Sequence, residues 1–404
     1  MYAQMQMKDV NRNLTYWALE NPLFPNHMSF ILGPRQTGKT TLAKNFIGNK
    51  VENYFNWDNR KIKNLYRNNP YFFETLQKPN EKIQLVFDEI HKMRKWKDYL
   101  KGAFDTYQQE FGFIITGSGR LDLFQKGGDS LAGRYDPYFL YPLTPGEIDG
   151  KFPKKLITTQ AILSATPISE STLEHWEKTS GFPEPFFTGS EEKTKKWWEQ
   201  YKIRVTEEDL RDLTKLESVD LMRDLLHLLP ERISSPLSLN SLREDLQCSH
   251  STVKRYIRSL SQLFFTFEVP PYYKRIHRAI KKEKKYYYFH HSAVRDPGAK
   301  FENMVALLLS KWCSSAREQA LGNYELYFLR DQDRREVDFL ITLEHTPHIL
   351  IEAKLSDTQF GSSLTYYGEK LKIPMIQIVR TPDITIKRQG NAVCSIHQLA
   401  SICG

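Results

Sequence analysis

The sequence predicts an α/β chain of several modules, and three observations lead there. The loop Gly33-Pro34-Arg35-Gln36-Thr37-Gly38-Lys39-Thr40 follows the apolar run Met28 to Leu32 and precedes a helix-like run, Thr41 to Phe46. Apolar runs of strand length then alternate with helical spacing as far as Thr116, which argues a doubly wound parallel sheet. Farther on, three helix-like segments and a strand between Leu221 and Val269 give way to a second α/β region with carboxylates on adjacent strands.

The loop reads GxxxxGK(S/T) in the strand, loop, helix context of a phosphate loop. Its glycines allow close approach of backbone N–H groups to a phosphate, and the new helix aims its positive end at the same anion. Gly33, Pro34, Arg35, Gln36, Thr37, Gly38, Lys39, Thr40 and Thr41 are therefore expected to hold ATP. Lys39 reaches the β- and γ-phosphates, and the Thr40 hydroxyl holds Mg²⁺. Asp88 and Glu89 follow the apolar run Ile83 to Phe87, at the carboxyl end of a buried strand, where open sheets bind ligands. Asp88 is expected to support the metal and Glu89 to polarise the attacking water.

Residues 10 to 27 read as an amphipathic helix and an approach loop, Val51 to Trp57 as a strand, and Arg60 to Leu76 and Trp96 to Tyr107 as helices. Phe111 to Thr116 reads as a strand ending in Gly117-Ser118-Gly119-Arg120, so Ser118 either senses the γ-phosphate or merely occupies a tight turn. Arg134, in SLAGR, is either an arginine that counters charge on the transferring phosphoryl group or an ordinary surface residue.

Together GPRQTGKTT, VFDEIHK followed by Trp96, ITGS, SLAGRY, LYPLTPGEI and GFPEP resemble AAA+ superfamily ATPases of bacteria and archaea that carry a C-terminal restriction-endonuclease-like domain. Gly119 stands where a second serine is common, and His91 where glutamine is usual. The resemblance implies that Arg134 matters and that the chain assembles into a ring or other homo-oligomer.

At 404 residues the chain exceeds what one core organises. The expected division is an ATPase core over 1–155, a helical lid over 156–216, a winged helix over 217–273 and a nuclease-like domain over 274–404. In the lid, Trp197 and Trp198 of KKWWEQY read as packing residues. The winged helix comprises Leu221 to Leu229, Ser238 to Leu246, Ser249 to Leu263 and the strand Phe264 to Val269. Its third helix carries Lys254, Arg255 and Arg258, suited to phosphate and groove contact, although the same fold also serves as a protein joint. The run Lys274 to Lys285, with Lys274, Arg275, Arg278, Lys281 and Lys282, holds seven cations against one Glu. It is either a phosphate-neutralising segment or a solvated linker.

In the last region Glu302 falls in the first turn of a helix from Phe301 to Trp312, and Asp338 and Glu352 lie on the strands of a hairpin. Lys354 shares a strand face with Glu352. Two carboxylates gather Mg²⁺ and a lysine positions water, the D…ExK arrangement of PD-(D/E)xK nucleases, with Glu302 as the helix carboxylate. Such a domain either cleaves or has kept its core for binding.

The net charge of +9 points to an anionic partner, with duplex or branched DNA first. The four cysteines have no zinc spacing and read as reduced thiols of a cytoplasmic protein; no run suits a membrane span and the first residues lack a secretory pattern. The reading is an ATP-hydrolysing protein that translocates or remodels DNA in recombination, repair or defence, for example at Holliday junctions, with a possible Mg-dependent nuclease. The alternative is a nucleotide-dependent protein-docking switch whose nuclease-like domain is inert.

Overall fold

The computed structural model describes residues 10–117, 131–209, 218–273 and 283–404, and the chain divides into two units at Tyr141/Pro142. In the first unit five strands form one parallel sheet: β1 (Met28–Leu32), β2 (Tyr54–Asn56), β3 (Ile83–Asp88), β4 (Phe111–Thr116) and β5 (Tyr135–Phe139). Their spatial order is β2-β3-β4-β1-β5. Every residue of β1 is buried, as a parallel strand covered on both faces requires. Because side chains alternate, Phe30, Phe87 and Phe113 join one core cluster, whereas Ile31, Val86 and Ile114 join another on the opposite face. The first cluster takes Trp96, Leu100 and Phe104 from helix α3 (Trp96–Tyr107), and the second takes Leu42 and Ala43 from α1 (Lys39–Phe46). A sheet covered on both faces results, as the alternation of elements predicts.

Three local expectations are corrected. The Val51 to Trp57 strand shrinks to β2, with a tight helical turn over Val51–Asn53 before it, because β2 is an edge strand and Val51 is 81% exposed. The helix from Arg60 ends at Asn68 as α2 (Arg60–Asn68). Asn69 is extended, as a residue before proline prefers, and Pro70 ends the run. Between residues 10 and 27 only Asn13–Thr15 is α-helical, and it runs into a wide turn over Tyr16–Glu20.

In the second unit α4 (Glu170–Thr179), α5 (Pro183–Thr188) and α6 (Glu191–Arg204) come first. Trp197 and Trp198 pack against Tyr201 and His290, and Trp198 also against Phe265, so both indoles are core residues. Next are α7 (Val219–Leu228), α8 (Leu239–Asp245) and α9 (His250–Gln262). Each is opened by a serine, Ser218, Ser238 or Ser249, whose hydroxyl accepts an N–H three residues on. An antiparallel ribbon follows, β6 (Thr266–Val269) with β7 (Lys285–Tyr288), in the register Val269 to Lys285.

The second sheet is entered from α10 (Pro297–Glu318), a helix apolar over most of its circumference and buried accordingly. It leads to β8 (Tyr324–Arg330), β9 (Glu336–Leu343) and β10 (Thr346–Lys354), which run antiparallel. Helix α11 (Ser362–Leu371) crosses over to β11 (Met375–Val379), parallel to β10. The strands β12 (Thr385–Arg388) and β13 (Asn391–Ser395) complete the order β12-β13-β11-β10-β9-β8, and α12 (Ile396–Cys403) follows. Residues 142–155, expected with the ATPase core, fold in this second unit. Thr144 and Glu147 form a capping box there, Glu147 pairs with Lys311 at 3.0 Å, and the Lys154 N–H reaches the Ile402 carbonyl at 2.8 Å.

Candidate functional site

The loop after β1 turns through three left-handed positions, Gly33 (φ 132°), Gln36 (φ 60°) and Gly38 (φ 94°). At Gly33 the Leu140 carbonyl lies where a Cβ would be, so only glycine fits both the φ and the space. Lys39 opens α1 and folds back over the loop, donating to the carbonyls of Gly33 at 2.9 Å and Pro34 at 2.6 Å. Those bonds hold a buried ammonium beside the N–H groups that start the helix, a ready site for phosphate oxygens. Thr37 Oγ1 donates to the Pro34 carbonyl, and the buried Arg12 guanidinium donates to the carbonyls of Thr37 and Tyr141.

The sheet order sets the other half. With β4 between β1 and β3, Asp88 and Thr116 sit side by side at the carboxyl edge. Asp88 accepts three hydroxyls: Thr40 at 2.9 Å and Tyr54 at 2.6 Å on Oδ2, and Thr116 at 2.5 Å on Oδ1. A hydroxyl and a carboxylate in contact are hard oxygen donors, so Thr40 and Asp88 suit Mg²⁺. Glu89 adopts a left-handed turn (φ 56°), and its N–H donates to the Thr116 carbonyl at 3.0 Å. Burial raises the Glu89 pKa, while Lys92, Arg35 and Lys39 act to lower it. Its carboxylate lies 3.4 Å from His91 Nε2 and 3.5 Å from Lys92 Nζ. The arrangement can bind a phosphate chain with a cation and present a half-buried carboxylate to a water.

Ser118 lies outside the described residues. Arg134 is not brought to this edge. Its carbonyl accepts the N–H of Met28, the first residue of β1, whereas the loop follows Leu32, about 13 Å along the strand at the usual rise. Its guanidinium forks onto Asp105 at 2.6 and 3.0 Å. Arg12, Tyr54 and Thr116 escaped sequence reasoning. Only Thr116 carried a signal, a polar residue closing an apolar strand.

On α9, Lys254 and Arg258 are exposed one turn apart, opposite the buried face of Val253, Tyr256, Ile257 and Leu260. Arg255 is half-buried over the Tyr256 ring. Lys274, Arg275, Arg278, Lys281 and Lys282 lie outside the described residues. The last two lysines of that run are engaged within the chain: Lys284 pairs with Glu268 at 2.5 Å, and Lys285 is 99% buried in its side chain among carboxylates.

Those carboxylates include two of the expected nuclease ligands. Lys285 Nζ stands 3.0 Å from Glu302, 2.7 Å from Glu336 and 3.7 Å from Asp338. The Tyr287 hydroxyl donates to Glu302 at 2.7 Å. Glu302 occupies the second turn of its helix, because Asp296 caps α10 and Pro297 begins it. Asp338 Oδ2 accepts the Ala353 N–H at 3.0 Å, and Lys354 holds Glu352 Oε1 at 2.8 Å. Glu352 Oε2 has no hydrogen-bond partner among the described residues. Burial pushes the Glu302 pKa up to about 7. Among the described residues no three His, Cys, Asp or Glu side chains converge as a metal site. Lys285 holds Glu302 and lies 3.7 Å from Asp338, whereas Glu352 is paired with Lys354.

Three family models match the chain. Residues 25–148 match an AAA domain, 170–295 a domain of unknown function (DUF8612), and 297–399 a further domain of unknown function (DUF4143). No curated protein matches the chain. The first match is to an AAA-like ATPase domain, which implies nucleotide binding, typically with Mg²⁺. No helix among the described residues is long and apolar enough to cross a membrane.

Proposed function

We propose that the chain hydrolyses ATP at the carboxyl edge of its first sheet and uses the hydrolysis to act on DNA. The observation that carries the first half is the contact of Thr40 with Asp88 beside the phosphate loop. In the proposed reaction Lys39 and the N–H groups at the start of α1 hold the phosphates and offset their charge. Bound Mg²⁺ would supply Lewis-acid stabilisation of the phosphoryl oxygens. Asp88, fixed by Tyr54 and Thr116, orients the Thr40 hydroxyl. Glu89 accepts a hydrogen bond from the attacking water and takes its proton, a role its raised pKa favours. Arg134 lies far from its own loop, so we assign it to the site of a neighbouring copy in a homo-oligomer.

The DNA half rests on three serine-capped helices followed by a β-ribbon, the outline of a winged helix, with Lys254 and Arg258 on the exposed side of α9. The succession α10, β8, β9, β10, α11, β11 has the outline of a restriction-endonuclease-like core. The test is phosphate release with and without duplex or forked DNA. Parent protein should turn over ATP and accelerate on DNA with a steep salt dependence, and Lys39→Ala should abolish turnover. Turnover in Lys39→Ala equal to the parent would sink the ATPase assignment. Hydrolysis indifferent to DNA would favour a second reading, a nucleotide-dependent protein-docking switch. The internal pairing of Lys284 and Lys285 favours that reading, because it removes two cations from the basic run.

A further inference from the structure

We infer that Lys285 is a built-in cation at the carboxylates of the C-terminal sheet, and that the site is a metal-independent joint fastening the β6–β7 ribbon rather than a metal-dependent nuclease centre. This stands whether or not the first unit hydrolyses ATP.

Three elements distant in sequence supply the groups. Lys285 opens β7, Glu302 comes from α10, and Glu336 and Asp338 come from one face of β9, two residues apart. The ammonium lies within 3.7 Å of all three carboxylates, and the Lys285 side chain is only 1% exposed. A buried ammonium needs acceptors or opposite charges around it, and buried carboxylates need a cation in return. Each satisfies the other here. The Tyr287 hydroxyl on Glu302 and the Arg330 guanidinium 3.4 Å from Glu336 complete the set. A divalent ion on Glu302 and Asp338 would have to share their oxygens with a fixed positive charge, which disfavours its entry. Lys354 similarly holds Glu352 Oε1.

The ammonium also has a mechanical consequence. β7 pairs with β6 in the ribbon and, on its other edge, with the segment before α8, where the Leu237 N–H donates to the Lys284 carbonyl at 2.9 Å; β6 follows α9, so Lys285 ties the end of the helical module to α10 and β9. Against α10 the strand is seated by this charge and by the Asn303 amide, which accepts the Tyr288 N–H and donates to the Tyr288 carbonyl, each at 2.8 Å.

Mn²⁺ binding to the nucleotide-free full-length chain, followed by electron paramagnetic resonance, tests the inference. The parent and Asp338→Asn should bind the same number of ions, and neither should nick plasmid in Mn²⁺. An ion present in the parent and lost in Asp338→Asn overturns the proposal, because Asp338 would then be a ligand, whether with Glu302 or with Glu352. Lys285→Met should melt lower than the parent without metal and gain a thermal shift of several degrees on adding Mn²⁺, a gain the parent lacks. A folded Lys285→Met that ignores Mn²⁺ also overturns it, since the ammonium would not occupy a cation position. If Lys285→Met does not fold, the Asp338→Asn comparison decides.

Discussion

Asp88 accepts hydroxyls from three elements, and the contact from Tyr54 is the most informative. Desolvation and the neighbouring carboxylate both raise the Tyr54 pKa, so the phenol remains a donor across the accessible pH range. A hydrogen bond to a charged group is worth about 1.5–3 kcal/mol. Tyr54→Phe should therefore lower kcat/KM for Mg-ATP by roughly tenfold or more, read by phosphate release, at ~1.4 kcal/mol per factor of ten. An unchanged value would remove Tyr54 from the site. Glu89 makes a second prediction. As a base it must be ionised, and burial raises its pKa above the ordinary 4.5. The rate should rise with pH along an acid limb above that value, and Glu89→Gln should be slow with no such limb. Thr40, Asp88 and Glu89 were legible because each belongs to a short motif whose local context fixes its position. Tyr54, Thr116 and Arg12 were not, because sheet order brings them there from separate parts of the chain.

Local chemistry sets the boundaries of α2 and α9. Pro70 was visible in the sequence and stops α2, but helical spacing across it argued for continuation. The helix α9 was legible from end to end because Ser249 marks its start. Ser249→Ala should cost about 1 kcal/mol of stability, measured by urea unfolding, with unchanged secondary structure. What the sequence could not reveal was how elements pair, and so Lys285 read as part of a basic run. The pair of histidines before α10 adds a pH prediction. His291 Nε2 donates to the Trp176 carbonyl at 2.9 Å, and its other ring nitrogen has no hydrogen-bond partner among the described residues. Burial lowers its pKa from 6.5 to about 3. The folded pKa lies below the unfolded one, so the stability is present above pH 6.5 and is lost as pH falls from there towards 3. His291→Gln keeps a donor and cannot be protonated, so its urea midpoint should fall less over that range than the parent's.

For the molecule as a whole, the net charge of +9 is a property of the sum, and it locates no surface. The exposed pair on α9 offers a narrower test: Lys254→Glu with Arg258→Glu should lose DNA stimulation of ATP turnover and leave the DNA-free rate unchanged. Loss of the DNA-free rate as well would indicate damage beyond a binding surface. Arg134→Ala should bind ATP like the parent and turn it over poorly, and mixing it with Lys39→Ala should restore part of the rate if copies complete one another's sites. No recovery would return Arg134 to an ordinary pairing with Asp105.

The position of β1 has a consequence for synthesis on the ribosome. Its two edges are closed by β4 and β5, both encoded well after it, whereas β2 and β3 are neighbours in space as in sequence. A nascent chain therefore carries Met28-Ser29-Phe30-Ile31-Leu32 as an apolar strand with unsatisfied edges until Phe111–Thr116 has emerged from the exit tunnel. Chains released at Glu110 should aggregate or recruit holdase chaperones, and those released after Tyr141 should be protease-resistant.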